Sequence, residues 1–129
     1  KDKPAVHKFR HLKGWNDVDY KMLHACFDLL CDFVEKEKGQ EMLDFQYTHM
    51  LKLTKKERVE RYTTKNKFDS CVRARRNDAR ICRYLYTWWT TVYVPRWNAG
   101  TWDALFSNDG EVEQQMFLRL IRLRRVLWT

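Results

Sequence analysis

Residues 71–89, CVRARRNDARICRYLYTWW, decide how the chain is read. On a helical wheel at about 100° per residue, Arg73, Arg76, Arg80, Arg83, Thr87 and Thr90 form one stripe, while Ile81, Leu85, Trp88, Trp89 and Val92 lie opposite. The spacing predicts a long amphipathic helix whose arginines face solvent and whose tryptophans enter a core. Among the aromatics only Tyr84 falls on the basic side, near Arg73 and Arg80. Asp78 falls among Ala74, Cys82 and Leu85 on the apolar face, where a charge needs a partner. This helix is expected from about Asp69 or Ser70, as N-cap, to Tyr93, with Pro95 forbidding its continuation.

Outward from this helix the same period recurs. Asn16 is a candidate N-cap, followed by Asp17 and Asp19 at the positive end of a helix. Met22, Leu23, Cys26, Phe27, Leu29, Leu30, Phe33 and Val34 then cover one broad apolar face, Asp28, Asp32 and Glu35 occupy the opposite, solvated face, and Gly39 supplies the stop. Residues 40–53 lack clear periodicity and read as a short helix or structured loop. Thr54 and Glu57 have the capping-box spacing for a short helix from Lys55 to Tyr62, with TTKNK as a basic loop after it. Residues 94–110 make a loop anchored by Trp97, Trp102, Leu105 and Phe106. In the last segment Val112, Met116, Leu120, Leu123 and Leu127 form an apolar stripe with Arg119, Arg122 and Arg125 towards solvent. Arg124 interrupts the apolar face, and a buried ion pair between Asp78 and Arg124 is expected to join the two helices.

The expected fold is therefore all-α: an irregular bundle of three long helices (about 16–38, 69–93 and 109–128) with one or more short ones. A basic N-terminal arm, 1–14, leads into a single helical domain, 15–129. Composition agrees, since 129 residues with 44% hydrophobic content can bury a core, and 4 Gly and 2 Pro are few for a hairpin-rich sheet protein. No apolar run is long enough to span a bilayer and no signal peptide is visible, so a soluble protein without a membrane partner is expected.

The spacings of Cys26, Cys31, Cys71 and Cys82 do not suit zinc, and His7, His11 and His24 have no acid or Cys placed to complete a ligand set, so free thiols and no metal or cofactor are expected. Phosphate-loop, nucleophile-elbow, zinc-protease and paired-carboxylate signatures are all missing, which argues against an enzyme. The net charge of +8 is segregated instead. Basic blocks at 1–14, 51–83 and 119–129 alternate with acidic blocks at 15–50 and 84–118.

LYTWW at 85–89, the ending MFLRLIRLRRVLWT at 116–129 and, less sharply, HACFDLLCDFVEKEKG at 24–39 resemble a group of small uncharacterised proteins of tailed bacteriophages. Those proteins are built around a Tyr-x-Trp-Trp helix and a closing Leu-Ile-x-Ile-Arg-x-x-Leu-Trp-Thr, and the match covers about half the chain. An acid about two turns before the Tyr-Trp-Trp motif corresponds to Asp78, and the arginine of the closing motif to Arg124. The basic segment 51–67 and the arginine stripe lie outside that pattern. The resemblance implies a phage protein in the cytoplasm of an infected bacterium, and supplies no activity.

The expected function is a non-enzymatic phage accessory protein binding an anionic partner, nucleic acid or nucleotide, through a basic helix face. Its candidate residues are Arg73, Arg76, Arg80, Arg83 and Tyr84, with Lys55, Lys56 and Arg58. The alternative is a protein-interaction or self-assembling module that inhibits a host protein or sequesters a nucleotide immune signal. As a homo-oligomer it would set the basic stripe against Asp28, Asp32 and Glu35 of a second copy.

Overall fold

The computed structural model describes residues 8–12 and 17–127, and all regular structure among them is helical. The elements are α1 (Val18–Glu35), α2 (Gly39–Leu51), α3 (Lys55–Tyr62), α4 (Lys65–Trp88), a π-helical turn (Trp89–Tyr93), α5 (Val94–Asn98) and α6 (Asp109–Leu127). The chain is an all-α bundle, as its periodicity predicts. Asn16, most of the N-terminal arm and the closing Trp128 and Thr129 lie outside the described residues; Asp17, in extended conformation, is the N-cap of α1.

Several boundaries differ from the sequence reading, each for a local reason. Gly39 does not stop α1. Lys38 takes the left-handed conformation (φ 57°), and Gly39 opens α2 beneath the buried ring of Phe33, where a Cβ would collide with that ring. Of the two readings of residues 40–53 the helical one holds, and α2 lacks a clear period because its apolar residues do not share a face: Leu43 and Met50 are buried, whereas Met42, Phe45 and Leu51 are exposed. Helix α3 forms as expected, Thr54 Oγ1 accepting from Glu57 N at 3.2 Å and Glu57 Oε1 from Thr54 N at 3.0 Å. Helix α4 begins earlier than expected because Thr64 caps it, accepting from Lys67 N at 3.2 Å; TTKNK is a cap and first turn, not a loop.

Pro95 does not end the helical path either. Across the π turn, Val94 N donates to the carbonyl of Trp89, five residues back. The widened turn accommodates a residue that has no N–H to donate and whose ring would strike the carbonyl four residues back in a regular α-helix. The Thr90 and Thr91 hydroxyls donate to the carbonyls of Tyr86 and Thr87, satisfying acceptors at the transition.

The main core gathers Leu23, Phe27 and Leu30 of α1, Leu43 of α2, Leu85, Trp88, Trp89 and Tyr93, and Met116, Leu120 and Leu123 of α6. Phe27, Trp89, Tyr93 and Trp97 form a near-parallel stack with successive centroids 4.4, 4.3 and 5.9 Å apart. A smaller cluster, Met50, Leu53 and Phe68, joins the end of α2 to the start of α4, and Tyr62 of α3 packs against it. All four cysteines are free thiols, and burial pushes Cys31 and Cys82 up to about 12, so neither supplies a thiolate at neutral pH.

Two expectations about the surface are corrected. Leu105 and Phe106 do not anchor the loop after α5: they are 82% and 89% exposed, and Trp102 and the Arg96–Asp109 ion pair hold it instead. Asp28 is not on a solvated face. It is 1% exposed, and its carboxylate accepts from Arg10 N at 3.3 Å, because residues 8–12 lie over that flank of α1.

Candidate anion-binding site

The arginine stripe of α4 is outside the core, as the wheel predicts, but its members differ in availability. Arg73 and Arg80 are exposed, and Arg73 reaches only Ser70 Oγ, at 3.4 Å. Arg83 is engaged in an ion pair with Asp44 of α2. Arg76 is half-buried, with its Nε unpartnered. Tyr84 is 50% exposed, and the Arg119 guanidinium of α6 sits over its ring at 5.3 Å. The structure thus brings Tyr84 and Arg119 together across adjacent helices, with Arg80 one turn and Arg73 about three turns before Tyr84 on the same stripe of α4. Arg119 was legible only as a solvent-facing residue, since nothing in its spacing says which helix it adjoins.

Lys55, Lys56 and Arg58 belong to a different place. Lys55 and Lys56 are exposed in the first turn of α3, and Lys55, Arg58 and Lys65 line a groove of about 430 Å³ over Phe68. Arg58 is occupied structurally. It donates to the carbonyls of Leu53 at 3.0 Å and Leu51 at 3.3 Å, closing the end of α2, and its guanidinium lies 4.4 Å from the Phe68 ring centroid.

The expected Asp78–Arg124 pair is not present: Arg124 is exposed and no ion pair joins the two. The buried stripe of α6 is Met116, Leu120, Leu123 and Leu127. Arg124 projects from one flank of that stripe, whereas Arg122 and Val126, on the other flank, face α4. Asp78 opens into a groove of about 260 Å³ between α2, α4 and α6, lined also by Gln46, Arg75, Arg122 and Arg125. Burial raises its carboxyl above the ordinary value, and the positive charges of Arg75 and Arg125 act the other way. Arg75 itself donates to Gln46 Oε1 at 2.8 Å.

A second polar cluster lies inside the core. His24, fully buried, is 2.8 Å from the Tyr93 hydroxyl and contacts Trp89 and Trp97 edge-on or tilted. Burial pushes its imidazole down to about 4, with the positive charge of nearby His11 acting in the same direction, and burial raises the Tyr93 phenol. Sequence reading placed His24 in the helix without seeing this pair, because Tyr93 is remote in the chain.

The acidic residues proposed to meet a second copy are used within the chain. Arg10 pairs with both Asp32 and Glu35, and Glu35 also accepts from the Tyr86 hydroxyl at 2.7 Å. Among the described residues there is no group of three or more His, Cys, Asp or Glu placed to hold a metal ion, and no helix is long and apolar enough to cross a membrane. Compared with models of protein families, with curated protein sequences and with solved structures, the chain matches none of them.

Proposed function

We propose that the chain is a non-enzymatic bacteriophage accessory protein that acts in the host cytoplasm and binds nucleic acid or a nucleotide where α4 and α6 lie side by side. The observation carrying this reading is Tyr84, half exposed beneath Arg119 and one turn from the exposed Arg80, with the exposed Arg73 further along the same stripe of α4. An accessible ring among cations offers a base a stacking surface and a phosphate its counter-charge. His24 and Tyr93 lie inside the aromatic core and Asp28 is buried under residues 8–12, all three closed to a substrate, which favours a binding role over catalysis.

The test is a salt titration of single-stranded DNA and RNA binding by the parent and by the triple variant Arg73→Gln, Arg80→Gln, Arg119→Gln. The variant should keep its helical circular dichroism and weaken for every sequence alike. Its slope of log affinity against log salt should flatten by roughly 0.7 per lost contact. Parent and variant slopes that coincide would falsify the reading.

A second reading, a module that binds a host protein or assembles with itself, is favoured by the loop between α5 and α6. Asp103 accepts from Leu105 N at 3.2 Å and Phe106 N at 3.0 Å, holding two apolar side chains out in solvent. Sedimentation of the parent against Leu105→Ser with Phe106→Ser tests self-assembly; a common monomeric mass removes that arm of the reading.

A further inference from the structure

We infer that the groove between α2, α4 and α6 is a guanine-nucleotide subsite, in which Asp78 accepts from the edge of the base and Arg122 and Arg125 hold the phosphate. The inference rests on the anion-binding reading above and places a specific contact within it. Asp78 opens into a cavity rimmed by Arg75, Arg122 and Arg125, yet it makes no hydrogen bond to a described residue. The nearest cation along its own helix, Arg75, is turned to Gln46. Arg122 and Arg125 are exposed and form no ion pair among the described residues.

A simple anion entering this groove meets the charge of Asp78, and a simple cation meets three guanidinium groups. A ligand carrying a negative group and, beside it, a pair of N–H donors satisfies both. Guanine has that pair: its ring N1–H and exocyclic N2–H lie side by side, so one carboxylate accepts two parallel hydrogen bonds. Adenine and cytosine place an acceptor next to their amino group, and uracil and thymine flank one N–H with two carbonyls, so each turns a lone pair towards Asp78. Met42 and Val126 supply apolar contact for the base. About 260 Å³ is near the lower limit of ligand pockets, which suits one nucleotide unit rather than a larger ligand. That unit is either a free guanosine phosphate or a guanosine in a single strand.

The test measures binding of guanosine 5′-monophosphate, inosine 5′-monophosphate, and two single-stranded oligonucleotides of equal length, one with guanines and one without. The parent should favour the guanosine monophosphate over its inosine counterpart, which lacks the N2 amine, by about tenfold or more. In Asp78→Asn that preference should vanish, while affinity for the guanine-free strand and its salt slope stay at parental values. Preference for guanine in both the monophosphate and the strand indicates a subsite for either source; preference in only one assigns the source. Equal binding of guanosine and inosine monophosphates together with no preference for the guanine-bearing strand, or a preference that survives Asp78→Asn, overturns the subsite. Salt-dependent binding of the guanine-free strand without any guanine preference overturns the subsite alone. Failure of every nucleotide and strand to bind overturns the broader reading with it.

Discussion

Acidification should destabilise this protein through His24, above the pH range of ordinary carboxylates. The imidazole is fully buried beside Tyr93, and its folded value of about 4 lies below the ordinary 6.5. The unfolded chain therefore takes up the proton first. Stability from this group is complete above about pH 6.5 and is lost as pH falls towards 4. At about 1.4 kcal/mol per pH unit of separation the full loss is on the order of 3 kcal/mol, of which roughly 2 kcal/mol appears between pH 7 and 5. That is a sizeable part of the stability of a domain this small. Asp78 and Glu113, both raised by burial, act with the opposite sign as they protonate, so the parent curve alone does not isolate the histidine. Urea unfolding at pH 7, 6 and 5, followed by helical circular dichroism, should be run on the parent and on His24→Gln, which retains a hydrogen-bonding group for the Tyr93 hydroxyl. The parent should lose about 2 kcal/mol more than the variant over that interval. Parallel curves would show that the buried imidazole is not the group being titrated.

Two further expectations concern positions that shape the bundle and its loop. Gly39→Ala sets two effects against each other: better helix propensity favours alanine by up to about 1 kcal/mol, but its Cβ meets the Phe33 ring, and overpacking costs about 1–3 kcal/mol. A net fall in Tm of several degrees is expected, partly reversed by Phe33→Leu in the same chain; a Tm at or above the parent's means that the ring yields easily. Asp109→Asn removes a carboxylate that Arg96 holds down to about 2 and that accepts from Asp103 N at 3.0 Å. Amide hydrogen exchange at Asp103, Leu105 and Phe106 should quicken while global unfolding stays unchanged, and undiminished protection there would show that the loop is held by other contacts.

Local physics made much of this architecture readable in one dimension. The three-and-four spacing of Leu85, Trp88 and Trp89 against Arg73, Arg80 and Arg83 predicts both the helix and its buried face, and Thr54 with Glu57 predicts α3 together with its cap. Such features depend on residues within two turns of one another, so helical geometry alone orients them. Contacts between helices carry no such signature. The wheel reading sets Arg124 within the apolar face of α6, whereas it stands at one flank and α4 packs on the other, so Asp78 meets the Arg122–Arg125 side instead. Asp28 looked solvated until residues 8–12 covered it, and Pro95 looked like a terminator until the π turn made room for it. The pairing of His24 with Tyr93, the placing of Arg119 over Tyr84 and the opening of Asp78 into a groove all depend on which faces meet. That is settled by the packing of side chains remote in sequence, and only the assembled bundle specifies it.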